Sequence, residues 1–326
     1  MVAGVVGHGL AGGLHVQGYL SHPDVERVVV YDPGTRVEEG ARVTAVPAMD
    51  AFWAAAPTVV SVCTPPAAHG AYVMDALAHG AHVLCEKPLA LHVSEVLAWM
   101  ERAAQAHRLL AAGFAHRFFA PTRRLKALVD AGELGDVTLC LNRFGVNYQT
   151  GAVPAWKWDA AVSGGGAIPD TLLHSVDLYR YLIGEPGDMA VAAAAALPAR
   201  FGGVEDGAAA LVSGPGPAMG VLIADWTTPR RQYELRVYGT RGWAEIDFDA
   251  PALRWGGAGD GAPRVETFAG TALERFSVMV REFVDAALER GPLASPITEG
   301  VAAMRFVERA SRLTPEAGGP PRARAH

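Results

Sequence analysis

Over the first 118 residues, short apolar runs alternate with amphipathic stretches. Val2–Val6 is a β-prone run; a glycine-rich turn follows, and Leu14, Val16 and Leu20 then supply apolar positions for a helix. Strands are predicted at 27–31, 43–45, 58–63, 82–85 and 109–112, with helices at 49–56, 67–79 and 93–107 between them. Repeated βα units of this length predict a doubly wound parallel sheet with helices on both faces. Ligands of such sheets lie beyond the carboxyl ends of the strands, at the switch point. Gly7, Asp32, Thr64 and the Glu86-Lys87 pair all fall at strand carboxyl ends, so this fold would put them on one rim.

Pro121 opens a helix to Ala131, and from Asp136 the pattern changes. Longer alternating runs predict strands at 136–146, 189–196, 208–213, 219–227, 233–239 and 242–247, joined by glycine-rich, hairpin-like links. They predict a large, mostly antiparallel open sheet in an α+β domain. One helix, about 167–183, interrupts the strands, and two more, about 271–290 and 297–313, follow. The division expected is 1–118 for dinucleotide binding, 119–316 for substrate binding and oligomerisation, and 317–326 as a flexible tail. The sheet is too wide for the helices of its half to cover both faces, so an uncovered apolar face is expected to join copies of the chain.

Composition narrows the class. At 326 residues, half of them hydrophobic, the chain suits two domains. The net charge is −6 and no basic run would track nucleic acid, so no such partner is expected. No apolar stretch approaches the length of a membrane span. The N-terminus runs straight into a strand with no charged region or cleavage site ahead of it. Cys63, Cys85 and Cys140 have no metal spacing and read as buried thiols in a reducing cytoplasm, so a cytoplasmic location is expected.

The first turn carries the first chemistry. In Gly7-x-Gly9-x-x-Gly12, Gly7 permits the tight turn, Gly9 lets the backbone approach a pyrophosphate, and Gly12 lets helix and strand pack closely. Unpaired N–H groups at the helix start, with Leu10 beside them, favour the anion. Asp32 stands twenty residues past Gly12, where a carboxylate accepts from an adenosine ribose. It predicts NAD over NADP; Thr35-Arg36, able to clamp a 2′-phosphate, keeps NADP as the alternative.

Glu86-Lys87-Pro88 admits two readings, a surface turn or a strand-end lysine that stabilises developing alkoxide charge. Pro88 restricts Lys87 toward extended geometry. On the helix 167–183, Ile168, Leu172, Val176, Tyr179 and Ile183 form one apolar stripe. Asp170, His174 and Asp177 recur nearly opposite it. They read either as a solvated face or as a histidine acid/base with a carboxylate that orients it. A metal site is a third reading, but no second His or Cys is near in sequence, so no metal is expected. Gly164-Gly165-Gly166 before the helix permits close backbone approach to a ligand. Trp156-Lys157-Trp158 is either a core anchor or a wall over nicotinamide and substrate.

Together these residues resemble the Gfo/Idh/MocA oxidoreductases, the glucose–fructose oxidoreductase and inositol dehydrogenase group. The resemblance runs through Gly7–Gly12, Val62-Cys63-Thr64-Pro65-Pro66 with His69, His82–Ala90, Gly113–Phe118 with Pro121, Gly164–Gly166 with Asp170, His174 and Asp177, and Phe283–Ala286. It implies a Rossmann domain followed by an α/β domain whose open sheet often forms a subunit interface. It implies Lys87 as the catalytic lysine with Asp170 and His174 as the acid/base pair. Gly7, Gly9, Leu10, Gly12, Asp32, Thr64, Pro65, His69, Glu86 and Lys87 would hold the cofactor. Lys87, His116, Trp156, Lys157, Asp170 and His174 would meet the substrate. One departure stands out: Leu172 occupies a place where many members carry glycine.

The activity expected is NAD(P)-dependent hydride transfer between nicotinamide and a secondary alcohol or ketone of a sugar, cyclitol or related polyol, in a homodimer or homotetramer. Two alternatives stay open. One is a redox-neutral enzyme with tightly held NAD, of epimerase or glycosidase type. The other is a nucleotide-binding module without chemistry.

Overall fold

The computed structural model describes residues 1–150, 153–259, 261–271 and 273–314. It divides into two compact units, one of residues 1–118 with 273–302, the other of residues 119–272 with the chain from Ala303.

The first unit is built on a six-stranded parallel sheet. Its strands are β1 (Val2–Val6), β2 (Arg27–Tyr31), β3 (Val43–Ala45), β4 (Val59–Val62), β5 (His82–Glu86) and β6 (Leu110–Gly113), in the order β3-β2-β1-β4-β5-β6. β4 and β6 are buried along their whole length, as expected of strands covered on both faces. Helices α1 (Leu10–Leu20), α2 (Met49–Ala54), α3 (Pro66–Ala78) and α4 (Val93–Ala106) connect the strands. The order reverses between β1 and β4, which makes the ends of these two strands the switch point.

In the second unit α5 (Ala120–Asp130) leads to the central strand β7 (Val137–Asn147), and a four-residue helix α6 (Ala160–Ser163) follows. The expected helix over 167–183 is two pieces, a π turn at Ile168–Leu172 and then α7 (Leu173–Leu182). The remaining strands are β8 (Met189–Ala194), β9 (Gly207–Ser213), β10 (Met219–Asp225), β11 (Thr227–Gly239), β12 (Gly242–Asp247), β13 (Ala252–Gly257) and β14 (Arg264–Thr267). The sheet order is β14-β13-β12-β11-β7-β10-β9-β8, with β7 and β10 parallel and all other neighbours antiparallel. β13 and β14 are additions to the expected set. Their register is made by cross-strand pairing rather than by an apolar alternation of their own, since β14 is largely exposed.

Helix α8 (Glu274–Ala287) departs from the expected division, because it packs in the first unit rather than the second. Gly18 of α1 makes this approach: a Cβ there would lie 2.7 Å from Cβ of Val280. Met279, Val280, Phe283 and Val284 thereby join the core made by Val5, Val28, Val30 and Leu84. Helix α9 (Ile297–Leu313) begins in the same unit, and its Gly300 packs on Leu89. The predicted tail, 317–326, lies outside the described residues.

Candidate functional site

The glycine turn is held from three sides. Gly7 has φ +88°, and a Cβ there would stand 2.7 Å from the Cys63 carbonyl carbon and 2.8 Å from the Thr64 nitrogen. A Cβ on Gly12 would reach 2.0 Å from the Gly7 carbonyl oxygen. Gly9 is different, for a Cβ there would meet no atom within 4 Å. The start of α1 has no side-chain cap and no acidic residue in its first turn, and Leu10 is 82% exposed beside it. The N–H groups of that turn are thus left for an anion. Thr64 Oγ1, at the end of β4, is buried with no hydrogen-bond partner among the described residues. These features fit a dinucleotide: an open approach over Gly9, free donors behind it and a waiting hydroxyl across the switch point.

Asp32 closes the turn. Its Oδ2 accepts the His8 N–H at 2.6 Å, and its Oδ1 accepts those of Gly34 and Thr35, each at 2.8 Å. Burial raises its pKa, but the backbone donors outweigh that effect and hold the carboxyl below its ordinary value. An open cleft of about 950 Å³ beside it is lined by Asp32, Thr35, Arg36, Glu38, Glu39 and Pro47 among others.

His69 is fully buried, with Nε2 2.6 Å from the Thr64 carbonyl oxygen and Nδ1 2.9 Å from that of Leu89. Burial lowers its pKa, and the two carbonyls only partly oppose the shift. The ring lies between the end of β4 and the segment after β5. Glu86 is also buried, and its Oε2 accepts the Lys87 N–H at 3.1 Å. The Lys87–Pro88 peptide is cis, and the Lys87 side chain is half-buried. His116 is buried in a short 3₁₀ turn, Ala115–Phe118.

In the second unit the acid/base candidates sit on the π turn and the start of α7. Glu205 organises the entry to this stretch. Its Oε1 accepts from both Gly166 N and Ile168 N at 3.0 Å, and its carbonyl oxygen accepts from Ala167 N at 2.8 Å. A Cβ on Gly166 would lie 1.9 Å from that carbonyl oxygen, so glycine is required there. Thr171 Oγ1 accepts from Trp226 Nε1 at 2.8 Å, and Trp226 packs with Tyr148, Trp158 and Phe201. Trp158 is half-buried in this aromatic cluster. Lys157 beside it puts Nζ 2.9 Å from Asp170 Oδ1 and over the rings of Tyr148 and Trp156. His174 is half-buried with its ring edge-on to Phe144 at 6.1 Å, and Asp177 is buried.

Asp177 is buried and Asp170 and His174 are half-buried, so the three do not form a uniformly solvated face. The wider π turn also breaks the uniform 100° spacing on which the solvated-face reading rested. Leu172 is fully buried at the end of the π turn. Among the described residues no group of three or more His, Cys, Asp or Glu could hold a metal ion. Two contributors had no signal in the sequence reading. Glu205 lies far from the helix it caps, and His15 looks like an ordinary residue of α1.

A six-stranded parallel sheet with a glycine turn at its switch point defines a nucleotide-binding α/β protein. Residues 1–114 match the family model described as oxidoreductase family, NAD-binding Rossmann fold, and residues 122–245 match the Gfo/Idh/MocA C-terminal domain. The chain belongs to the Gfo/Idh/MocA oxidoreductase family and carries its NAD-binding Rossmann domain. It is 33% identical over 276 residues to inositol 2-dehydrogenase 2 of Mycolicibacterium vanbaalenii, covering 78% of this chain and 76% of that protein. It is 30% identical over 193 residues to D-glucoside 3-dehydrogenase of Escherichia coli, covering 56% of this chain and about half, 54%, of the relative. The fold is shared with an inositol dehydrogenase homologue from Azotobacter vinelandii solved with NAD+, with a TM-score of 0.84 and 20% identity over 96% of this chain and 95% of the other. No helix among the described residues is long and apolar enough to cross a membrane.

Proposed function

We propose that the protein is an NAD-dependent dehydrogenase of a secondary hydroxyl on a sugar, cyclitol or related polyol. The observation that carries this reading is the half-buried Lys157–Asp170 ion pair, which holds a carboxylate one turn before His174 on an element built to position it. A half-buried carboxylate, a cation that holds it and a histidine thus stand together where the π turn runs into α7.

When bound, the cofactor supplies the hydride acceptor or donor; the protein's groups do the rest. Gly7, Gly9, Leu10 and Gly12 receive the pyrophosphate, and Asp32, Thr64 and Pro65 line the remaining cofactor contacts, while Glu86, buried with its oxygens on His15 and the Lys87 N–H, supports them from behind. His69 also stands behind them, since its ring is fully buried. Lys87 donates to the substrate oxygen and stabilises negative charge as it develops there. His174 takes the hydroxyl proton in oxidation and returns it in reduction. Asp170, held by Lys157, orients His174. Trp156, Lys157 and His116 complete the substrate contacts. The names of the inositol and glucoside dehydrogenases among its relatives support a polyhydroxylated ring as the substrate class.

Asp32 supports NAD over NADP, because its carboxylate would repel a 2′-phosphate and Glu38 and Glu39 line the same cleft. The test is initial-rate kinetics on a panel of cyclitols and glycosides with both cofactors. A member of the panel should reduce NAD+ faster than NADP+. His174→Ala and Lys87→Met should each lower kcat by at least about a hundredfold, the scale of a lost acid/base or charge-stabilising group. Near-wild-type turnover in His174→Ala would overturn the assignment.

A further inference from the structure

The first unit holds a buried polar chain that nucleotide binding alone does not require. His15, on α1, is fully buried. Its Nε2 lies 3.0 Å from Glu86 Oε1, and its Nδ1 lies 2.8 Å from Ser61 Oγ. Ser61 is buried on β4, and its Oγ lies 2.9 Å from the hydroxyl of Tyr19, one turn further along α1. The other oxygen of Glu86, Oε2, accepts the Lys87 N–H at 3.1 Å.

Three protons satisfy the three side-chain contacts of this chain. With Glu86 as a carboxylate, which only accepts, His15 Nε2 is the donor to it. With a single proton on the ring, Nδ1 accepts from Ser61. Ser61 Oγ accepts in turn from the Tyr19 hydroxyl. Burial pushes the Tyr19 phenol well above its ordinary pKa, which keeps that terminal donor protonated. Every member is satisfied, with three protons for three bonds, and a network of that kind rigidifies what it touches. Gly113 leaves the space it needs, since a Cβ there would stand 3.0 Å from Glu86 Oε1.

The chain starts on α1, the helix whose uncapped first turn would receive the pyrophosphate, crosses β4, and ends on the backbone of Lys87. We propose that His15 and Glu86 are positioning residues that fix the Lys87 peptide and tie it to α1, so that the lysine is aimed by the same helix that receives the cofactor. This rests on the reading of Lys87 as the group that acts on the substrate oxygen. Neither side chain needs to touch the substrate.

The test uses variants of the full chain in which lysines are reductively methylated with ¹³C-formaldehyde, so that Lys87 gives its own NMR signal, assigned by its loss in Lys87→Met. His15→Met and Glu86→Gln should move the Lys87 signal in the protein without any ligand. His15→Gln, which keeps an N–H for Glu86, should leave it near the wild-type position. Ser61→Ala, which removes a single hydroxyl, should move it the same way by less; it serves if His15→Met does not fold. Affinity for NAD+, read by titration, should change less than about threefold in His15→Met, while kcat on an active polyol falls at least about tenfold, a KM-against-kcat split expected of lost orientation. An unmoved Lys87 signal in folded His15→Met and Glu86→Gln would overturn the proposal, whatever happens to the melting temperature. If no polyol is turned over, the reading of the function fails while the ligand-free NMR signal still decides the network.

Discussion

Lys157 Nζ stands 2.9 Å from Asp170 Oδ1, with the two side chains 20% and 18% exposed. The pair bridges the 3₁₀ turn at Ala155–Trp158 and the π turn at Ile168–Leu172. It is neither a surface pair, worth under about 1 kcal/mol, nor a fully buried one, whose breakage costs several. Lys157→Met should therefore destabilise the chain by about 1–3 kcal/mol. It should also lower kcat/KM at least tenfold, roughly the effect of misplacing an orienting group, and Lys157→Arg should recover part of both. Urea denaturation and initial rates measure the two effects separately. A stability loss without a rate loss would remove Lys157 from the functional set.

The glycines of the first turn separate ligand contact from packing. Gly9→Ala places its methyl in open space, so thermal unfolding should be nearly unchanged while NAD+ affinity falls at least about tenfold. Gly12→Ala drives a methyl into the Gly7 carbonyl and should lower the melting temperature itself. Calorimetric melting with and without NAD+ distinguishes them, and a Gly9→Ala variant that binds NAD+ normally would remove the pyrophosphate from that position.

Glu205 gives a prediction with a pH signature. Burial raises its pKa, and the N–H groups of Ile168 and Gly166 oppose that only in part. The folded state thus favours the protonated form. Its contribution is fully present below the unfolded value of about 4.3 and is lost as pH rises through the higher folded value. Glu205→Gln keeps an oxygen for both N–H groups and carries no charge. It should be at least as stable as wild type at pH 8, with a smaller advantage at pH 5. Glu205→Ala orphans two buried donors and should lose about 1–3 kcal/mol at either pH. Melting curves across that range check both. A Glu205→Gln variant markedly less stable at pH 8 would mean the ionised form is required.

The second sheet bears on assembly. Leu211 pairs with Val221 across β9 and β10, and Val221 pairs with Leu141 of β7, so the three form an apolar row on one face. Leu211 is 54% exposed, as is Met219 at 49% on the same face. We propose that this face joins copies of the chain. Light scattering at micromolar concentration should give a multiple of the chain mass, and Leu211→Glu should reduce it. A monomeric mass for the wild type would contradict the proposal.

Much of this architecture was legible in local pattern. The βα alternation, the spacing from Gly7 to Asp32 and the switch to longer alternating strands after Asp136 follow from side-chain periodicity and turn chemistry, which act over a few residues. The positions of Gly7, Thr64 and Glu86 at strand ends followed from the same reading. Where it failed, long-range contact decided. Periodicity assumes one repeat per helix, and the Ile168–Leu172 stretch departs from it where Glu205 and Trp226 hold its backbone and its Thr171 side chain. The π turn and the burial of Asp177 were therefore invisible in the helix's own residues.

The sequence by itself determined the two sheets, the glycine turn, and which residue types could receive a dinucleotide and move a proton. Only the tertiary structure decided that α8 packs on α1, that Lys157 holds Asp170, and that His15, Ser61 and Glu86 form one chain ending at Lys87. The physical reason is separation along the chain. Residues 46 and 71 positions from His15 complete its hydrogen bonds, and periodicity carries no information over that distance. A buried polar side chain is satisfied by whatever the packed fold brings to it, and that is settled only when the strands and helices have met.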